Sequence, residues 1–325
     1  MKSVDYFDDE WITEGKNMRI EDLKYEIPTK RVDDKDFDLE KWREETPMDY
    51  LKAMYLLNMA EGVSKDIVFQ EIYKITRLYI PEVLYKFFSL TDDKVLNEKK
   101  LETLLQCKIF MADAKSLNDP FDGKAYFYNA NQLKKYERLA PYGGKLIDDF
   151  TEYIKITSLT GNNVNSMPMW AHYSNNHAGF CVSYDMKCNV ALSSCTFPVQ
   201  YCNERIDVTS LMEQQANMLF NEIQKQSTIG NKQILINDLS MVYMASLLCN
   251  LKHSSWSYEN EFRCTTGAIA KGMPYIDARP KEIFIGMNCS PRYSAQLNEI
   301  ANILNIPVHR MVFAENAQQI DLTVI

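Results

Sequence analysis

The chain has 325 residues, 46% of them hydrophobic and 25% charged, with a formal net charge of -8. That length suits one large domain or two of ordinary size, with enough apolar material for a core. Residues 1–50 hold 16 Asp/Glu against 9 Lys/Arg, a net -7, which leaves -1 for everything after; a nearly neutral body without a basic run argues against tight, sequence-independent nucleic-acid binding, though not against a small local patch.

The amino terminus is acidic and lacks the basic start and apolar stretch of a secretory signal, which predicts a cytoplasmic protein. The longest apolar-rich stretch, 241–251, is too short to cross a bilayer, so no membrane partner is expected. The eight cysteines are expected to be reduced. Cys181, Cys188, Cys195 and Cys202 recur every seven residues, but zinc ligands come in closer pairs, and the histidines offer no metal-binding spacing either. No dedicated metal site is expected.

In chain order, residues 1 to about 45 read as an acidic arm, a candidate surface for a partner protein. Helical spacing over 47–61 and 64–79 then predicts a small helical region, so that 1–80 stands apart from a domain over 81–325. Within that domain, 84–88 reads as an aromatic strand, 96–105 as a helix and 108–112 as a strand. The loop Ser116-Leu-Asn-Asp-Pro-Phe-Asp122 follows, where Asn118 and Asp119 can bond back to the main chain and where α/β and α+β proteins often place ligands. Next come a strand over 154–159, a short helix over 168–173 and a strand over 179–184. Long helices over 208–226 and 233–251 lead to the motif around residue 260, and the chain ends as strand (282–286), helix (291–304) and strand (308–312). The fold class is α+β: mixed or antiparallel sheets with flanking helices, after a small helical amino-terminal region.

From Trp256 the alternation of apolar and polar residues has the period of a half-buried strand, which puts Glu259, Glu261 and Arg263 on one face. Same-face neighbours on a strand sit about 6.5–7 Å apart, so the two carboxylates could grip adjacent sugar hydroxyls or divide base and stabiliser roles; equally, they could be a solvated sheet face with an ion pair. The segment Trp170–Gly179 packs His172, Tyr173, Ser174, two asparagines and His177 together. Trp170 and Tyr173 share a helix side, where they could hold a purine or nicotinamide ring or be core. Ser158 and Thr160, at the end of a strand, could bind a phosphate or ribose, and Lys86 could meet a pyrophosphate or simply face solvent. Phosphate loops of the GxxxxGKS or GxGxxG type are absent, as is the GxSxG elbow.

Together, Leu84-Tyr-Lys-Phe-Phe, Ser116-Leu-Asn-Asp-Pro-Phe-Asp, Ile156-Thr-Ser-Leu-Thr, Met169-Trp-Ala-His-Tyr-Ser-Asn-Asn-His-Ala-Gly-Phe and Trp256-Ser-Tyr-Glu-Asn-Glu-Phe-Arg, preceded by Lys252, resemble in order the motifs of a bacterial family of unknown function. Its genes tend to lie among mobile elements and phage-defence systems. The motif order is in turn similar to that of ADP-ribosyltransferases, which use a basic or polar residue on an early strand, a Ser/Thr motif on a middle strand and a late strand ending in a catalytic Glu, often as Glu-x-Glu. By that resemblance Lys86 and Ser158 fill the first two places, and Glu259 and Glu261 the third.

The resemblance implies a defence or toxin-like effector that uses NAD as substrate. Glu261 would stabilise the ribosyl oxocarbenium, with Glu259 catalytic beside it. Lys86, Asn118, Asp119, Ser158, Trp170, His172, Tyr173, His177 and Arg263 would contact the nucleotide. The acceptor is unspecified. Two other functions fit the residues: a non-catalytic sensor of a nucleotide or phage component, and a nuclease with a divalent metal on Glu259, Glu261, Asp119 and Asp122.

Overall fold

A computed structural model describes residues 37–46, 74, 76–113, 116–145, 154–230, 246–267, 274–314 and 322–325. The helix expected over 47–61, most of those expected over 64–79 and 233–251, and most of the acidic arm lie outside the described residues. The fold is α+β, a mixed sheet with several helices. Among the described residues no helix is long and apolar enough to cross a membrane.

The chain divides into two compact units, each assembled from separate stretches. One comprises Met1–Tyr79, Asp113–Ile154 and Gln200–Ser254; the other comprises Ile80–Ala112, Lys155–Val199 and Ser255–Ile325. In the first, a short helix, Leu39–Glu45, stands where the sequence suggested only an arm, and the Asp38 carboxylate caps it by accepting from the Lys41 amide at 3.0 Å. The same unit holds the helices Ala130–Leu133 and Thr209–Thr228, a 3-10 turn at Ala140–Tyr142, and two short parallel strand pairs, Leu251–His253 with Gln200–Cys202 and Tyr126–Phe127 with Ile206–Asp207.

The second unit is built on a sheet. Its strands are β1 (Val83–Phe88), β2 (Lys108–Phe110), β3 (Ile154–Thr160), β4 (Phe180–Asp185), β5 (Thr196–Pro198), β6 (Glu261–Gly267), β7 (Tyr275–Asp277), β8 (Glu282–Ile285), β9 (Val308–Phe313) and β10 (Leu322–Val324). Its helices are α1 (Lys94–Leu105), α2 (Met167–Tyr173), α3 (Val190–Ser194) and α4 (Pro291–Leu304). The sheet runs β10-β9-β8-β4-β1-β3-β6-β5, and β2 pairs with β7 apart from it. β4 is antiparallel to both β1 and β8, while β8 and β9 are parallel, as a strand-helix-strand crossover through α4 requires.

Strand alternation divides the core. Leu84, Phe180, Val182, Ile283, Ile285, Leu159, Phe262 and Cys264 pack with Leu101 and Leu104 of α1 and Leu297, Ile300 and Ala301 of α4. The intervening residues Phe87, Cys181 and Phe284 pack instead with Met169 and Trp170 of α2. Both faces are therefore covered, which is why β4 is buried at every position but its last. The helices start and stop where their sequences say. Asp93 caps α1 through the Leu96 amide, and Ser290 with Pro291 opens α4, which left-handed Asn305 closes at φ 53°.

Candidate functional site

The sheet alternation decides what faces α2. Leu159 of β3 and Phe262 and Cys264 of β6 belong to the core under α1 and α4, so Ser158, Thr160, Glu261 and Arg263 point to the α2 side. On that side the Arg263 guanidinium donates from Nε to one Glu261 oxygen at 2.7 Å and from Nη2 to the other at 3.1 Å, with the side chains 1% and 4% exposed. This is a bidentate, dehydrated ion pair two residues apart on one strand.

Glu259 is where the sequence expectation fails. It does not share the strand face of Glu261 and Arg263, because Ser254–Glu259 is a 3-10 helix and the strand begins only at Glu261. Asn260 stands between them with φ 44°, a left-handed backbone that no strand can continue. The turn is tied down from β3: the Thr160 hydroxyl donates to the Glu259 carbonyl and the Gly161 amide to the Asn260 carbonyl. At Gly161 a Cβ would lie 2.7 Å from the Asn260 side-chain amide, which would have to move aside. The Glu259 carboxylate is itself buried and accepts a hydrogen bond from the Tyr173 hydroxyl at the end of α2.

Lys86 is not an open cation. Alternation places it with Leu84 and Phe88, its ammonium lies 5.6 Å from the centre of the Phe88 ring, and it donates to the Ser158 carbonyl at 2.9 Å. Burial pulls it down from its ordinary value to about 8, against the opposing pull of the Glu261 carboxylate. Trp170 is closed off as well. It is fully buried, meets Phe87 edge-on at 5.1 Å, and donates from Nε1 to the Val164 carbonyl. Of the two readings of that ring, the core one describes its position.

His177 lies parallel to Trp170, with ring centres 6.1 Å apart. It ends a run of three left-handed residues, Asn175, Asn176 and His177, held by the Asn175 amide on the Leu90 carbonyl and by Asn288 on the carbonyls of Asn176 and His177. Its Nδ1 is buried without a hydrogen-bond partner, and burial lowers its pKa. His172, by contrast, is exposed. Its ring sits 6.4 Å from Tyr173 and 6.2 Å from Tyr258, which in turn is 6.2 Å from Trp256. Tyr258 is 41% exposed, and its carbonyl accepts from the Asn162 side-chain amide at 2.7 Å.

The structure thus brings together Ser158, Tyr173, Glu259, Glu261 and Arg263, with Lys86 reaching in from the opposite side of the sheet. Asn118 and Asp119 belong to the other unit. There Asp119 is buried and turns its Oδ1 to the Phe121 amide at 2.9 Å, the local bond expected of this loop. Among the described residues no group of three or more His, Cys, Asp or Glu is placed to hold a metal ion. Sequence reasoning missed the aromatic row of Trp256, Tyr258 and His172 as a surface. The signal that could have found it is Asn260, a residue type that tolerates left-handed backbone, set inside an apparent strand.

No curated protein and no solved structure matches the chain. Residues 169–264, which run from α2 to β6, are similar to a family described as protein of unknown function (DUF2971).

Proposed function

We propose that the chain cleaves NAD and transfers or releases its ADP-ribosyl group. The observation that carries this reading is the adjacency of β1, β3 and β6 in one sheet. The early, middle and late strands of the transferase motif order are direct neighbours, and Ser158 and Glu261 share a face. Rupture of the nicotinamide–ribose bond builds positive charge on the sugar, as glycoside cleavage does, and a carboxylate held ionised stabilises it. Glu261, paired with Arg263, is the candidate for that task. Glu259, oriented by Tyr173, is the candidate to accept a proton from the acceptor. Lys86 serves as a prop for the Ser158 strand rather than as a pyrophosphate contact.

Incubation with NAD and measurement of released nicotinamide tests the proposal. Glu261→Asp keeps the charge but shortens its reach, and it should lose most turnover while the protein stays folded. Absence of nicotinamide release from folded protein, with nucleic acid and cell extract supplied as acceptors, would sink the reading. As a defence or toxin-like effector, the chain should arrest growth when expressed, and Glu261→Asp should relieve the arrest.

A second reading is favoured by one observation: Glu259 and Glu261 are both buried and already engaged by Tyr173 and Arg263. A site of that kind suits a sensor that binds a nucleotide without altering it. Thermal stabilisation by NAD or ADP-ribose with the ligand recovered intact would decide for the sensor.

A further inference from the structure

Beside the part of the sheet that α2 covers lies a short row of polar side chains. The pairing register sets Phe87, Cys181 and Phe284 in one line across β1, β4 and β8, and Met169 and Trp170 of α2 pack on that line. One same-face step along the strands, about 6.5–7 Å away, the same register lines up Tyr85, Ser183 and Glu282.

These three are neighbours, yet none spends its polar atoms on another. Ser183 is 1% exposed and its hydroxyl is buried without a hydrogen-bond partner, a costly state for such a group. The Tyr85 phenol makes no hydrogen bond among the described residues. The Glu282 carboxylate, 30% exposed, meets His309 Nε2 at 3.9 Å, beyond hydrogen-bond length. Burial raises the Tyr85 pKa, and the Cys181 thiol and the Glu282 carboxylate push it the same way, so the phenol lies within electrostatic reach of that carboxylate. The backbones of β1 and β8, on either side of β4, are about 9.5 Å apart, whereas the Tyr85 and Phe284 ring centres are 6.2 Å apart. The two rings therefore lean toward each other over the strand that carries Ser183.

The chemistry of the set selects its ligand. A carboxylate can only accept hydrogen bonds, and the two hydroxyls can accept as well. An anion would meet Glu282 with like charge. A divalent metal ion wants several hard oxygen ligands, and among the described residues no group of three or more His, Cys, Asp or Glu is placed to hold one. A guanidinium fits best where two acceptors lie in one plane, as on a single carboxylate. An ammonium carries three rotatable N–H donors on one atom and can meet an oxygen of each side chain.

We propose that Tyr85, Ser183 and Glu282 form a binding site for a primary ammonium group, with Glu282 as its counter-charge and the two hydroxyls as its further hydrogen-bond acceptors. The site lies outside the transferase reading and does not rest on it.

Titration of the full chain with propylammonium chloride, against sodium chloride at the same ionic strength, tests the site by calorimetry and by the thermal midpoint. Propylammonium should bind saturably and raise the midpoint. Glu282→Gln should weaken binding by about tenfold or more, since it removes a charged acceptor. Ser183→Ala should weaken it by about threefold to tenfold while leaving the unliganded midpoint unchanged or higher, because it deletes a buried hydroxyl that bonds nothing in the fold. A blocked Gly-Lys-Gly peptide that binds more tightly than propylammonium marks a polypeptide lysine as the source of the ammonium, and equal binding marks a free amine. Four results would overturn the proposal: no saturable binding above the salt control, tetramethylammonium binding as tightly despite having no N–H, unchanged affinity in Glu282→Gln, or a lower unliganded midpoint in Ser183→Ala. The last would mean that the hydroxyl already serves the fold.

Discussion

The motif from Trp256 to Arg263 contains two regions of opposite character. Its second half, Glu261 and Arg263 on β6, is dehydrated and bound to itself in a bidentate pair. Its first half, Trp256 and Tyr258 on the 3-10 turn, is half-buried to exposed, with the two rings 6.2 Å apart. One left-handed residue, Asn260, separates them. The comparison teaches that neighbouring residues of a single motif can hold different jobs. The strand half stores charge in a fixed geometry, and the turn half displays surface that costs the fold little to change.

The largest expected effect breaks the strand half. Glu261→Gln removes the carboxylate charge that meets the buried Arg263 guanidinium at 2.7 Å and should lower the unfolding free energy by about 3–5 kcal/mol in denaturant titrations. The double variant Glu261→Met/Arg263→Met removes both charges and fills their volume, so most of that loss should return. If the single variant costs under about 1 kcal/mol, the pair is not dehydrated in solution and the contrast between the halves collapses.

Lys86 sharpens the same contrast through pH. Its folded value of about 8 lies below its ordinary 10.5, so between those limits the unfolded chain binds more protons than the folded one. Stability attributable to Lys86 therefore rises as pH climbs from 8 toward 10.5, and the ammonium costs about 3 kcal/mol at pH 7. Burial lowers Lys100 too and adds a rise of the same sign. Tyr79, raised to about 12, works the other way above pH 10. The clean measurement is the difference between wild type and Lys86→Met from pH 7 to 10. It should shrink as pH rises; a constant difference would mean that the ammonium is not held in a dry site.

Tyr173 joins the two regions, since its hydroxyl holds Glu259 while its ring lies against His172. Tyr173→Phe keeps the ring and deletes the bond to a charged acceptor, which should cost about 1.5–3 kcal/mol. Unchanged stability would show that solvent replaces the phenol and that Glu259 is open rather than enclosed.

Much of this fold could be read from periodicity and punctuation. Helix α4 is bounded by Ser290-Pro291 and Asn305, and β4 follows Gly179 as a mostly apolar stretch, Phe-Cys-Val-Ser-Tyr. Gly179 also admits the close approach of the Phe88 carbonyl, which would lie 1.9 Å from a Cβ there. The site was legible in composition but not in geometry. Alternation from Trp256 to Arg263 looks the same whether or not one residue turns left-handed, because the pattern records side-chain polarity and not φ. Trp170 and His172 are two residues apart on α2, yet one is fully buried and the other exposed; which side of a short helix meets a sheet is set by pairings distant in sequence. The reach of Lys86 to the Ser158 carbonyl depends on β1 and β3 being neighbours, which no local signal announces.

The smallest expected effect belongs to the turn half. Removing the Tyr258 ring deletes contacts with Trp256 and His172 that are exposed and tilted, while the backbone bond from Asn162 to the Tyr258 carbonyl does not involve the side chain. Tyr258→Ala should therefore change the unfolding free energy by no more than about 0.5 kcal/mol, the usual range for a surface substitution. A loss near 2 kcal/mol would mean that the ring holds the turn in place. Glu259, whose carbonyl is anchored by Thr160 on that turn, would then move with it, and the exposed row would be part of the framework rather than a surface laid over it.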